Sequence, residues 1–349
     1  MANIRDVARS AGVSVSSVSN VLNGRTDQMR KETLLRIEAA MVELNYHPNR
    51  AAQQLKTGQA KMIGLLVPSI VNPSFAALAR EVDLAAKNNH GYRVLLGNTY
   101  RQEDEEQAFL NDLMSHGVRG VIVVSSSIEK SHFAEAAQRG LTMVNYDGSS
   151  VSGSATNDML YDSVSMDNRQ AGRIAAQYLI DQGCREIAFV TEASRTVSRS
   201  HKIEGFLATA AENGLKDHSQ VIEGKALTAY GDTEMAELGH HLAQTISRLE
   251  KRPNGIVAIN DVLAIGLIAG LRSLGVRVPE DISVVGIDNI SLSGLIHPAL
   301  TSVAPPLADM ANTMVERLIT RLNAPQTNAE EFLFTPTLVI RDSVIKRNE

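Results

Sequence analysis

The chain of 349 residues has no tryptophan and one cysteine, and aromatic residues make up only 4% of it. A lone Cys184 cannot close an internal disulfide, which fits a reducing compartment. It stands in "DQGCREI", between an expected helix and an expected strand, where a thiol behaves as a small hydrophobe. No apolar run approaches the roughly eighteen residues that would suggest a membrane-spanning helix. The opening "MANIRDVARS" is polar and charged where a signal peptide would be apolar, so the expected location is the cytoplasm. There is no G-x-x-x-x-G-K-[ST] phosphate loop and no G-x-G-x-x-G after the first expected strand. Adjacent His240 and His241 point in different directions on a helix, unsuited to one metal, and Cys184 has no evident histidine partner. Neither catalysis nor a cofactor is expected.

What is present reads as a globular chain of two or three domains, with 44% hydrophobic and 21% charged residues. The net charge of −5 is unevenly spread: residues 1–60 hold eight Lys/Arg against five Asp/Glu, and the remainder holds 26 against 34. A basic head on an acidic body hints at a polyanion-binding head.

In "NIRDVARSAGVSVSSVSNVLNG", Asn3 and Asp6 mark a helix start, and Ile4, Val7, Ala8 and Ala11 form an apolar stripe. Gly12 suits a tight turn, and Ser14 restarts a helix with Val18, Val21 and Leu22 inward. Asn23-Gly24 ends it, and a third helix is expected from about Arg30 to Leu44. This is the helix-turn-helix plan, whose second helix enters the major groove. Val15, Ser16 and Asn20 face away from the stripe, and their side chains suit a thymine methyl, most bases and adenine respectively. A helical hairpin with a polar outer face is the plainer alternative.

"IRDVARSAGVSVSSVSNVLNG" followed by "ELNYHPNRAAQQLKTG" resembles the head and hinge of the lactose-repressor (LacI/GalR) family of bacterial regulators. The resemblance continues through "IGLLVPSIVNPSFAAL", "DNRQAG", "AINDVLAIG" and "VPEDISVVGIDN", covering essentially the whole chain. It departs at Ser17, where the family usually has Thr, and at Asn20, where a basic or aromatic residue is common; both affect which operator is read. The resemblance implies DNA contacts from Ser14, Val15, Ser16, Ser17, Asn20 and Asn23 in the head. In the hinge, "NYHPNRAAQQLKTGQ", it implies contacts from Asn49, Arg50, Ala52, Leu55 and Lys56. Its shortness suits a helix that folds only when bound and paired, and the resemblance supports Leu55 as an apolar wedge for a central base step; a plain linker with an incidental leucine is the alternative.

From Met62 the pattern changes to short apolar runs, among them "MIGLLV", "GVIVVSS", "EIAFVT" and "DISVVGI", alternating with helical segments. Such strands are buried on both faces of parallel sheets, and their number calls for two Rossmann-like lobes. The fold class is therefore α/β: a three-helix helix-turn-helix head (1–46), a hinge helix and linker (47–60), and a two-lobed core (61–345). By resemblance the core is of periplasmic-binding-protein type. Expected lobe bounds are 61–161 with 292–322, and 162–291 with 323–345.

Ligands of such sheets sit at the carboxyl ends of the strands. That rule selects Asn72 and Phe75 after the first strand, Asp147 after "MVNY", and Asn260 with Asp261 after "GIVAI". It also selects Arg195, Arg199 and Lys202 after "EIAFVT". A carboxylate among amide and basic groups suits a hydroxyl-rich ligand, and unpaired groups would penalise the wrong one. Each has a plainer reading: Asp261 as a helix cap, Asp147 as a turn, Arg195 and Arg199 as a solvated loop. Lys202 stands where the family usually has Arg, a point donor in place of a planar fork. Where the family often has an aromatic this chain has Ala226; Tyr230 is the candidate substitute.

Three function classes compete: a ligand-responsive DNA regulator, a freestanding solute receptor, and a sugar-modifying enzyme. The head selects the first. The resemblance implies a homodimer on a roughly palindromic operator, a carbohydrate effector in the core, and repression as the usual outcome. The tail "PTLVIRDSVIKRNE" carries no leucine heptads, so a coiled-coil tetramer is not expected.

Overall fold

In the computed structural model, the described residues are 2–22, 25–27, 29–46, 61–125, 130–148, 161–193, 196–225 and 234–347. Contacts divide the chain into two units, Met1–Ala60 and Lys61–Glu349. The first unit holds helices α1 (Ile4–Ala11), α2 (Val15–Leu22) and α3 (Lys31–Glu43). Asn3 caps α1 in a reciprocal box: its side chain accepts from Asp6 N, and Asp6 accepts from Asn3 N at 3.0 Å. Gly12 closes the helix at φ 63°, a left-handed turn that glycine adopts without steric cost. Ser14 Oγ accepts from Ser17 N at 3.1 Å and so begins α2. Val7, Ala8, Ala11, Val18, Ile37 and Ala40 form the buried centre of this small unit.

The second unit contains, among the described residues, two six-stranded sheets. The first uses β1 (Met62–Val67), β2 (Arg93–Asn98), β3 (Gly120–Val124), β4 (Thr142–Tyr146) and β5 (Asp162–Met166). Helices α4 (Pro73–His90), α5 (Glu103–Ser115) and α6 (Ser131–Gln138) connect its first four strands. After α7 (Asn168–Asp181) the plan repeats, with β6 (Ile187–Glu192), α8 (Val197–Glu212), β7 (Ser219–Gly224) and α9 (Glu234–Ser247). Then come β8 (Gly255–Ala258), α10 (Asp261–Ser273), β9 (Ser283–Ile287), β10 (Thr301–Ala304) and α11 (Leu307–Asn323). The chain finishes with β11 (Glu331–Phe334) and β12 (Thr337–Val339).

The orders are β11-β5-β4-β3-β1-β2 and β12-β10-β9-β8-β6-β7, so both sheets reverse direction at their first strand. Central strands β3, β5 and β9 are buried along their whole length, as parallel strands covered by helices on both faces must be. Edge strands β2 and β7 are half exposed.

The lobe bounds differ from those expected from sequence. Strand β5 belongs to the first sheet, because it pairs with β4 and its Asp162 is bonded by Arg317 and Arg321 of α11. Strand β10 belongs to the second, pairing with β9 from Thr301 to Val303. The chain therefore crosses between lobes after Met166, after Ala304 and after Phe334, where β11 ends in one sheet and β12 begins in the other.

Helices α7 and α8 approach with their backbones nearly touching. A Cβ at Gly172 would overlap the Lys202 carbonyl oxygen, and one at Gly205 would overlap that of Arg169. These two glycines thus set how close α8, and with it Lys202, lies to the interlobe crossover.

Candidate functional site

The carboxyl ends of strands from both lobes open onto one cleft. From the first lobe come Asn72, Ser74 and Phe75 at the start of α4, with Arg101, Ser125, Tyr146 and Asp147. From the second come Thr196, which caps α8, Ser198, Arg199 and Lys202 on α8, and Asn260 and Asp288. Phe75, Val124, Met166, Met235 and Ile259 supply the apolar part of the wall.

Two aspartates face this cleft from opposite lobes, and both have left-handed backbones, Asp147 at φ 59° and Asp288 at φ 108°. Asp147 accepts from Asn168 Nδ2 at 2.7 Å. Asp288 is pushed up to about 7, first by burial and then by the carboxylates of Asp261 and Asp147, against the pull of Lys202 and a hydrogen bond from Ser74. Ser74 belongs to the other lobe, and both residues line the cleft. Burial, reinforced by Asp147 and Asp288, also raises the Tyr146 hydroxyl well above its usual value, leaving it a proton donor at neutral pH. Arg199 is buried and pairs with Glu192 at 3.1 Å.

Asn72, Phe75, Asp147, Arg199, Lys202 and Asn260, all selected from sequence, are brought together here. Asn72 Oδ1 accepts from Ser74 N at 2.9 Å, and Asn260 Oδ1 caps α10 through Leu263 N at 2.8 Å. Arg195, Ala226 and Tyr230 lie outside the described residues.

Asp261 requires a correction. It is fully buried, does not line the cleft, and does not cap its helix, a job Asn260 performs. Its carboxylate is consumed by Ile290 N at 2.9 Å, Ser293 Oγ at 2.5 Å and Ser302 Oγ at 2.6 Å. The cleft carboxylate on this lobe is Asp288, which the sequence reading passed over. The signal was present: Asp288 directly follows "ISVVGI", and the strand-end rule names it as surely as Asp147. Arg101, directly after "GNTY", was missed in the same way.

On the head, Ser14, Val15, Ser16 and Asn20 are exposed, and Ser17 is half-buried with its Oγ 2.9 Å from Ser14 Oγ. Val15, at 41% exposure, is a large apolar side chain left in solvent at the front of α2. Asn23, Asn49, Arg50, Ala52, Leu55 and Lys56 lie outside the described residues, as does the whole expected hinge. Among the described residues no cluster of three metal-ligating side chains occurs, and no helix is long and apolar enough to cross a membrane.

A helix-turn-helix head joined to a two-lobed core with a polar cleft defines the class of ligand-responsive DNA-binding regulators. Residues 3–49 match the bacterial regulatory proteins of the lacI family, and residues 176–344 match a periplasmic binding protein-like domain. The HTH-type transcriptional repressor PurR of Photobacterium profundum is 33% identical over 346 residues, 99% of each chain. A LacI family transcriptional regulator from Enterococcus faecium with bound ribose is 26% identical, with a TM-score of 0.70 over 82% of this chain and 100% of that one. A lac repressor dimer bound to operator and the anti-inducer ONPF shares the fold, with a TM-score of 0.82 over 99% of both chains at 24% identity. The chain belongs to the LacI family of bacterial regulatory proteins. It is a DNA-binding transcriptional regulator with a two-lobed effector core.

Proposed function

We propose that this regulator is a cytoplasmic repressor whose hold on its operator is set by a monosaccharide-sized polyol in the core cleft. The observation that carries this is the pair Asp147 and Asp288, which reach one cleft from opposite lobes. Carboxylates accept paired hydroxyl donors, so a diol bonded to both fixes the lobes relative to each other. The ribose bound to the Enterococcus faecium regulator supports a ligand of this size and chemistry. Asn72, Arg199, Lys202 and Asn260 add polar contacts, and Phe75 packs on the apolar side of the ring.

The repressor works as a homodimer, one head per half-site of a roughly palindromic operator. A dimeric lac repressor on its operator is one precedent within the fold. Ile70, Leu84, Leu96 and Tyr100 are exposed on or beside α4 and edge strand β2, an apolar surface suited to a second copy. On DNA, Ser14, Val15, Ser16, Ser17 and Asn20 meet base edges and phosphates, continued by Asn23 and the hinge residues Asn49, Arg50, Ala52, Leu55 and Lys56.

Operator binding by the purified protein, titrated with D-ribose, other sugars, sugar phosphates and nucleosides, tests the effector assignment. A sugar is expected to change operator affinity, and the sign of the change separates induction from corepression. A response confined to nucleosides, or none at all, overturns the polyol reading. For the DNA side, Asn20→Ala is expected to relax preference by about 1–3 kcal/mol at one base pair. An equal loss across all operator variants would remove Asn20 from the reading set.

A further inference from the structure

The segment after β9 is bent in an unusual way and fastened from three directions. Asp288 and Asn289 have φ of 108° and 49°; asparagine tolerates the second value, but the first lies outside the left-handed helical region and is costly for a residue with a Cβ. Asn289 N donates to Ser302 Oγ at 3.0 Å, and Ile290 N donates to Asp261 Oδ2 at 2.9 Å. Arg341 Nη2 donates to Asn289 Oδ1 at 2.6 Å, while its Nη1 donates to the Leu300 carbonyl at 2.6 Å. Ser302 in turn donates to Asp261 Oδ1 at 2.6 Å, so the first two fasteners meet on one carboxylate. The three residues come from the start of α10, from β10 and from the chain beyond β12.

The neighbouring sequence is shaped to admit that carboxylate. A Cβ at Gly286 would overlap Asp261 Oδ1, so the glycine of "VVGIDN" leaves the space the carboxylate occupies under the strand. Asp261 is fully buried and is not part of the cleft wall; Asp288 is.

We propose that Asp261, with Ser302 and Arg341, is a positioning group for the effector: it fastens residues 288–290, the first two of them left-handed, and thereby aims the Asp288 carboxylate into the cleft. This rests on the reading of the cleft as the effector site. Asp261 touches no ligand; its effect on binding passes entirely through Asp288. The role differs from the ligand contact expected from sequence, and it explains why a buried carboxylate with three donors stands one residue after the cleft-lining Asn260.

Ser302→Ala and Arg341→Met loosen the turn while leaving Asp261 and Asp288 in place. Three quantities are measured on each full-length variant: the 13C carboxyl titration of Asp288 without ligand, the Kd for D-ribose, and the Tm. In both variants the Asp288 midpoint is expected to fall from about 7 toward the usual aspartate range as the carboxylate reaches solvent. Removing a cation alone moves a neighbouring carboxyl upward, so a fall in Arg341→Met reports release of the turn. The ribose Kd is expected to rise about tenfold, corresponding to about 1.4 kcal/mol. In an Asp288→Asn background, Arg341→Met should add no further loss. A lower Tm with the Asp288 titration unmoved would make the network merely structural and overturn the proposal. If the unaltered protein binds no D-ribose, the polyol reading fails on its own, and the titration still decides the positioning role.

Discussion

Asp162→Ala is expected to destabilise the core by about 3–5 kcal/mol, the range for breaking a buried ion pair by removing one partner. Asp162 has no exposed surface. Its Oδ1 accepts from Arg317 Nε at 3.0 Å, Arg317 Nη2 at 2.8 Å and Glu330 N at 2.9 Å, and its Oδ2 from Arg321 Nη1 at 3.2 Å. Each arginine side chain is only 14% exposed, so deletion of the carboxylate removes the buried acceptor shared by two cations and a backbone donor. Arg317 keeps partial compensation from Glu330 at 3.2 Å and from the Phe332 ring, 5.3 Å away, which places the loss within that range and not above it. Urea denaturation checks the figure. A loss below about 1 kcal/mol would mean that water and Glu330 replace Asp162, as at an exposed pair. Because Asp162 begins β5 while Met166, at its other end, lines the cleft, the ribose affinity of the folded variant should change little.

That same strand shows where the sequence was hard to read. "DSVSM" has two serines and an aspartate, yet all five residues are buried. Hydropathy marks a strand by its apolar side chains, whereas here burial is made tolerable by arginines that arrive from α11, 155 and 159 positions away. The lobe boundary expected at 161 and 162 followed from that blindness. By contrast, "MIGLLV", "EIAFVT" and "DISVVGI" announced their strands because mostly apolar side chains fill their buried positions. In the head, spacing alone located all three helices, since each turns apolar residues toward one small core, and the first two begin at capping side chains.

The site was legible to the extent that it obeys the strand-end rule. Asn72, Asp147, Lys202 and Asn260 follow strands and line the cleft. Asp261 follows one too, but a helix beginning at Asp261 turns its carboxylate under the neighbouring strand, and only a glycine at 286 reveals the space. Position after a strand is one-dimensional information; which side of the strand end a carboxylate takes depends on residues 29 to 41 positions later.

Asp288→Asn is expected to abolish ligand control while making the ligand-free protein more stable at alkaline pH. Burial holds the Asp288 carboxyl up at about 7. In the unfolded chain it titrates near its ordinary value of about 4. Between those pH values the folded protein retains a proton that the unfolded chain has released, so stability falls as pH rises from about 4 to about 7 and is level beyond it. Three units correspond to about 4 kcal/mol, and the partial exposure of Asp288 to the cleft reduces this to about 2–4 kcal/mol. Asparagine carries no such charge. The variant and the unaltered protein should therefore have similar urea midpoints at pH 4 and diverge by pH 8, with the variant higher. A constant difference across that range would show that Lys202 and Ser74 already offset the burial, and that Asp288 is ionised throughout. Ligand binding follows from the same proton. Polyol hydroxyls donate to the ionised carboxylate, so D-ribose binding below pH 7 should release a proton and strengthen as pH rises to about 7. Calorimetry in two buffers of different ionisation heat measures that proton directly. In Asp288→Asn the proton disappears together with roughly a hundredfold or more of affinity, the cost of about 3 kcal/mol for a charged acceptor lost from a desolvated site. The second lobe then has no carboxylate in the cleft wall, and the operator affinity of the variant should no longer depend on the sugar.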